Sequence, residues 1–406
     1  MRIDELSWTE TRGWSRRNAG IKRNGDAQIH QLHNGQPRTG NGSARKTDLV
    51  LYFGTRETLA NAARYDELHT MFPDGHVVGC STGGQIHNDD ISDGEISAAA
   101  LSFDATAIRL AREPADAPDQ SRKCGAAIGK TLAASDLAGI FILSDGLNVN
   151  GSELVAGITS VVGQHVPVTG GLAGDGAQFK ETLVGADCPP RKHLVAAIGF
   201  YGQAIRIGHG SAGGWDEFGP RRRITRSAGH VLYELDSSPA LDLYERYLGE
   251  EEAKGLPGTA LLFPLRIYDP QRPEHDLVRT VLAVDRITRS MTFAGDMPEG
   301  WVAQLMRGNF DRLAAGAADA ARQASSAIAK NFEGDGLAVL VSCIGRRLLM
   351  GQRTTDEVEA VSAEFGPRMT RLGFYSYGEI SPHAVSGVCE LHNQTMTVTA
   401  ITEVTG

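Results

Sequence analysis

Two histidines, a cysteine and two glutamates crowd the end of the chain, in Gly378-Glu379-Ile380-Ser381-Pro382-His383 and Cys389-Glu390-Leu391-His392-Asn393-Gln394-Thr395. Imidazole and thiolate are borderline and soft ligands, so the segment first suggests metal or haem chemistry. A haem-based gas sensor needs one neutral imidazole on iron, an apolar slot for the macrocycle and a displaceable sixth position. His383 follows Pro382 at a strand end, where a ring can project into a cleft. His392 alternates with Leu391 and Asn393 and faces opposite to both. Phe374, Tyr375, Tyr377 and Met396 are available to line such a slot, and are equally ordinary core residues of strands. Haem b on His383 or His392 is one cofactor such donors can hold, and a structural role for each ring is the competing reading.

Two other site chemistries can be built from the same chain. Cys80, Cys343 and Cys389 each fall at or near a strand end. Three thiolates with His383 or His392 make a donor set for an iron–sulfur cluster or zinc. No C-x-x-C pair accompanies them, and a buried cysteine is otherwise a small hydrophobe. A metal-free alternative places Arg346 as a bidentate clamp on a carboxylate and Glu379 opposite an ammonium group. Tyr377 and the backbone N–H groups of Gly79, Cys80, Ser81, Thr82 and Gly83 complete that site. Arg346 and Glu379 can instead pair with each other.

Two segments imitate catalytic motifs. Gly79-Cys80-Ser81-Thr82-Gly83 fits the G-x-S-x-G spacing of a hydrolase nucleophile elbow, which must feed a helix. The continuation Gly84-Gln85-Ile86-His87-Asn88-Asp89-Asp90 is polar and turn-rich, so a structural or ligand-contacting turn is the better reading than a Ser81 hydrolase. Gly208-His209-Gly210-Ser211-Ala212-Gly213 fits G-x-G-x-x-G, but Gly214-Trp215 and Gly219-Pro220 follow where a dinucleotide loop opens a helix.

The elements that must position these residues are read from periodicity. A buried strand begins at Asp48–Gly54, and a helical stripe runs from about Thr58 to Met71. Short strands at His76–Cys80, Ile96–Phe103, Gly139–Leu143 and Val166–Thr169 alternate with turns and with a helix at Ser152–Val162. From Leu194 the strands become consecutive, with a hairpin around Ala228-Gly229. The second half repeats the mixture, with an Ala-rich helix from about Gly308 to Lys330. The fold class is therefore α/β, with two domains of mixed β-sheets flanked by helices. The boundary falls near Ser237, giving domains at 47–237 and 238–406. Residues 1–46 hold nine Lys/Arg against four Asp/Glu without apolar periodicity and read as a disordered or weakly ordered basic tail.

Composition narrows the function. The chain has 406 residues, a net charge of -9 and 48 glycines; the acidic balance argues against a general nucleic-acid binder. Five widely spaced cysteines suit reduced thiols rather than a disulfide framework. No apolar run approaches the roughly 20 residues of a membrane span. A cytoplasmic protein without membrane insertion is expected, and self-association is left open.

Taken together, Gly79–Gly83, Gly219-Pro220, Val231–Asp236 running into Pro239–Tyr244, Ser342-Cys343-Ile344-Gly345-Arg346, and Gly373-Phe374 through Tyr377-Gly378-Glu379 to His392-Asn393-Gln394-Thr395 resemble the FIST family of bacterial sensory proteins. The resemblance spans about residues 48–403. It implies ligand sensing rather than catalysis, with signalling through a separate histidine kinase or cyclic-di-GMP enzyme. The family is associated with small ligands such as amino acids, and one branch, the nitric oxide sensing proteins, binds haem. The form of Ser381-Pro382-His383 and Cys389–Thr397 is similar to that branch.

Overall fold

The structure, a computed structural model, describes residues 1–18, 30–31, 46–328, 332 and 334–404. Three βαβ units form its base. In each, a buried strand runs parallel to the next strand in sequence: Leu49–Gly54 beside His76–Ser81, Leu137–Ser144 beside Val168–Leu172, and Gly336–Cys343 beside Met369–Ser376. An antiparallel strand flanks the first member of every pair, at Ile96–Ser102, Leu194–Tyr201 and Met396–Glu403 respectively. Parallel strands need a crossover, and the helices Ala63–Met71 and Gly151–Val162 supply it in the first two units. In the third, Ile344–Met350 and Thr355–Ser362 do so.

The units exchange strands in a cycle. After its parallel pair, the first unit sends Gln85–His87 to the edge of Met369–Ser376 in the third. The third sends Gly378–Pro382 to Val168–Leu172 in the second. The second sends Val184–Ala186 back to His76–Ser81 in the first. The sheets therefore cross the sequence boundary near Ser237 and join residues from both sides of it. Residues 216–307 form a further lobe, an eight-stranded antiparallel sheet around Ile224, Leu232, Leu241, Tyr244 and Leu265.

The α/β class, with mixed sheets flanked by helices, holds. Local signals also translate well. Asn150 caps its helix through Oδ1, which accepts from Glu153 N–H at 3.1 Å. The hairpin around Ala228-Gly229 joins Asp216–Ala228 to Val231–Leu235. The stripe at 58–71 is two helices, Arg56–Leu59 and Ala63–Met71. The Ala-rich helix spans Phe310–Ser325.

The basic tail needs correction over its first part. Arg2–Thr9 and Gly13–Asn18 form a hairpin, and Arg2–Thr9 pairs along its length with Ile96–Ser102. Ile3, Leu6 and Trp14 are buried, and Trp14 Nε1 donates to Glu67 at 2.7 Å. The surrounding positive charge is paired locally, with Arg2 and Arg16 both against the buried Asp4. These few apolar residues suffice because they cover a sheet edge that already exists, so no period of their own is required. The remainder of the tail, apart from His30–Gln31 and Lys46, lies outside the described residues. Among the described residues, no helix is long and apolar enough to cross a membrane.

Candidate functional site

The C-terminal ends of the parallel strands converge on one region, where open α/β sheets characteristically bind ligands. Three backbone hydrogen bonds tie the units together there. Gly174 N–H donates to Ser81 O at 2.9 Å, Gly83 N–H to Tyr375 O at 2.8 Å, and Tyr377 N–H to Leu172 O at 3.2 Å. They run from second unit to first, first to third and third to second, closing a ring.

Residues 79–83 build this junction. A β-carbon at Gly79 would lie 2.1 Å from Tyr52 O, so only glycine fits. Cys80 is fully buried, and burial pushes its thiol well above the ordinary range. Ser81 is also fully buried, and its Oγ accepts from Leu183 N–H at 2.9 Å. Thr82 Oγ1 donates to Gly54 O and accepts from Gly84 N–H. The chain then enters the strand Gln85–His87, not a helix, so the geometry of a nucleophile elbow is not formed. Thr82 and Gly83 reach an open cleft of about 480 Å³ that also presents Glu57, Asp93, Asp175 and Arg347. Arg347 is held there by both oxygens of Asp93.

The other glycine motif has a packing role. Gly208 and Gly210 sit in the strand Ile205–Ala212, where added β-carbons would meet Ala324 O at 2.0 Å and Ala320 O at 2.1 Å. They allow the Ala-rich helix to lie directly on the strand.

Arg346 and Glu379 are both fully buried, each with partners of its own. Arg346 pairs with Glu357 at 2.8 Å and donates to the carbonyls of Gly213 and Leu313. Ser342 and Tyr375 donate to the other oxygen of Glu357. Glu379 accepts from Ser376 Oγ, Thr395 N–H and Thr395 Oγ1 at 2.7, 3.2 and 2.9 Å. Burial nevertheless raises its pKa to about 8. Neither residue presents a free charge to a ligand in this arrangement.

His383 and His392 come together, and His275 from the lobe joins them. Ring centroids are 4.7 Å apart for His275 and His383, and 6.2 Å for His383 and His392. Most of their nitrogens are committed, although His275 Nδ1 is buried without a partner. His383 Nε2 donates to Asp276 O at 3.1 Å while Nδ1 accepts from Val385 and Ser386 N–H. His392 Nε2 donates to Ser381 O at 3.0 Å, and burial lowers its pKa to about 3. A haem ligand needs one such nitrogen free and pointed into a slot, so His383 and the Nε2 of His392, as packed, do not fit haem. The thiols do not assemble either. Cys389 Sγ accepts from Val168 N–H, and burial raises both Cys343 and Cys389. Among the described residues there is no group of three or more His, Cys, Asp or Glu placed to hold a metal ion.

What the convergence does form is a cavity of about 210 Å³ between the base and the lobe. The strand ends supply Gly146, Leu172, Cys343, Gly345 and Tyr377; the lobe supplies Thr280, Leu282 and Phe293. Phe179 stacks on Tyr377 at the rim, with ring centroids 4.5 Å apart and planes 11° apart. Tyr377 is held from behind, its hydroxyl donating to Asp175 and Gly176 O. Thr280 is buried, and its Oγ1 has no hydrogen-bond partner. Of the expected site residues, Cys343 and Tyr377 line this cavity. Thr280, Phe179 and Phe293 escape sequence reasoning, because an isolated threonine or phenylalanine carries no signal of its own.

Comparison with known families and structures follows this geometry. The FIST N domain matches residues 48–238 and the FIST C domain matches residues 240–382. His383, Cys389 and His392 thus fall beyond the matched span, and the matches do not single out the nitric oxide sensing branch. No curated protein matches the chain in sequence. Among solved structures, cyanuric acid hydrolase from A. caulinodans aligns at 12% identity over 74% of this chain and 100% of its own, with a TM-score of 0.19.

Proposed function

The chain belongs to the FIST family, whose domains are generally sensory and ligand-binding, and from that premise we propose that it senses a small molecule held, without metal, in the cavity between base and lobe. One observation carries this reading: Thr280 lines a cavity at the meeting point of the parallel strand ends, and its buried Oγ1 has no protein partner. Buried polar groups are almost always hydrogen-bonded, and a ligand supplies the missing partner. Binding there bridges the lobe to Tyr377 and hence to the ring joining the three units. Output then passes to a separate protein, a histidine kinase or a cyclic-di-GMP enzyme, in the cytoplasm.

The test is differential scanning fluorimetry against free amino acids, nucleobases and single-ring aromatics, on wild type and on Ala294→Leu, which fills the cavity. Stabilisation by a compound in the wild type and its loss in the filled variant supports the site. Stabilisation retained in the filled variant moves the ligand elsewhere and ends this reading.

A haem-bound, nitric-oxide-responsive state is a second reading, favoured by the cluster of His275, His383 and His392. It requires one imidazole to leave its carbonyl partner. Titration with haem and the visible spectrum decide it: a Soret band that His383→Ala or His392→Ala removes supports it, and no band removes it.

A further inference from the structure

We propose that the cavity selects an uncharged, single-ring aromatic molecule bearing one hydrogen-bonding group, and rejects zwitterions. The inference rests on the cavity being the sensory site. Size comes first. A cavity of about 150 Å³ lined by Leu, Ile and Phe takes up benzene, so about 210 Å³ leaves room for a ring and one substituent. The walls suit a ring, because Phe293 and the stacked Phe179–Tyr377 pair all line the space, and aromatic pairs gain beyond their buried area.

Charge is the discriminating feature. Among the described residues lining the cavity there is no Asp, Glu, Lys or Arg, and the one imidazole, His230, is on an exposed residue. An unpaired ion taken from water into such a space is costly, and a zwitterion brings two. The ionisable groups nearby are engaged. Arg279 stands behind Gly295, where a β-carbon would approach its Nε at 2.8 Å. Its donors go to the carbonyls of Asp296, Val278 and Leu391. Glu379 is enclosed by Ser376 and Thr395.

The polar contact is equally specific. Asn150 lines the cavity, but its Oδ1 caps a helix and its Nδ2 donates to Asp296. Thr280 Oγ1, on a residue only 4% exposed, is unpartnered and can both donate and accept. It matches one hydroxyl or N–H on the ligand. The rim is apolar as well, with Phe179 43% and Leu282 46% exposed, as expected where an apolar ligand enters.

The experiment is isothermal titration of the full chain with phenol, aniline, toluene, benzoate and phenylalanine, on wild type, Thr280→Val and Ala294→Leu. Circular dichroism checks that each variant is folded. Phenol and aniline are expected to bind the wild type at millimolar or lower concentration and to lose binding in Ala294→Leu. Thr280→Val is expected to weaken phenol about tenfold, the value of one hydrogen bond, and to leave toluene unchanged. No binding of any neutral aromatic overturns the inference, as does equal loss of toluene and phenol in Thr280→Val. Tighter binding of phenylalanine or benzoate, abolished by Ala294→Leu, also overturns it while leaving the cavity as the sensory site. Binding that Ala294→Leu does not alter places the ligand elsewhere, and the cavity reading falls with it.

Discussion

Arg346 lies against Glu357, with Nη2 2.8 Å from Oε2 and neither side chain reached by solvent. The charge that a binding site would use to clamp a carboxylate instead locks the short helix Ile344–Met350 to Thr355–Ser362. Arg346→Ala leaves a buried carboxylate with only Ser342 and Tyr375 as donors. We expect a loss of about 3–5 kcal/mol in urea unfolding. The double change Arg346→Met with Glu357→Leu is expected to recover most of it, because no charge is then stranded. A small loss in the single variant would show that Arg346 does not anchor these helices.

Glu379 gives the fold a pH dependence of unusual sign for a carboxylate. Burial raises its pKa from 4.5 to about 8, so the folded state keeps a proton that the unfolded state gives up above pH 4.5. Its contribution is full below that point and is lost as pH rises through about 8. Glu379→Gln is expected to flatten the stability curve between those values. The readout is the difference in unfolding free energy between wild type and variant across the range, and an unchanged slope refutes the assignment.

His392 acts in a lower window. Burial takes its pKa from 6.5 to about 3, so the unfolded chain binds a proton that the folded chain refuses. Stability from this group is intact above pH 6.5 and is lost as pH falls towards 3. His392→Gln retains a donor for Ser381 O and cannot titrate. Denaturant titrations should show less acid destabilisation in the variant than in the wild type.

Gly208 and Gly210 permit contact between strand and helix. Gly208→Ala is expected to cost about 1–3 kcal/mol or more, since its methyl group meets Ala324 O and the backbone must move. NAD should have no effect on the melting temperature of either protein. A stable Gly208→Ala variant, or stabilisation by NAD, contradicts the packing role.

Separate expression of residues 48–238 and 239–406 is expected to yield unfolded or aggregating halves. The first loses Gly378–Pro382 from the edge of Val168–Leu172, and the second loses Gln85–His87 from Met369–Ser376. Far-UV circular dichroism and gel filtration of each half check this, and two monomeric, folded halves would refute it.

Much of the base was legible in the chain because its signals are local. Buried β-runs such as Leu49–Gly54, the cap at Asn150 and the turn at Ala228-Gly229 depend on neighbouring residues. Strand exchange left no such mark, since Gln85–His87 pairs with Met369–Ser376 from the far end of the chain. The N-terminal hairpin was missed for a related reason: Ile3, Leu6 and Trp14 are buried against a sheet that later residues provide. At the site, Tyr377 and Cys343 line the cavity, whereas Arg346 and Glu379, expected to face a ligand, are paired within the protein. Their partners, Glu357, Ser376 and Thr395, become visible only once the helices and strands are placed. His383 and His392 do come together, yet the carbonyls of Asp276 and Ser381 already occupy their Nε2 atoms.

The three hydrogen bonds from Gly174, Gly83 and Tyr377 make a closed collar with no free end. Its circumference is set by backbone contacts, so one segment cannot slide outward unless the other two follow. A guest pressing on Tyr377 pulls at Leu172, the same strand end carries Gly174 against Ser81, and Gly83 returns the pull to Tyr375. The three units are therefore linked in one closed circuit, so the proposed guest against Tyr377 would load all of them together.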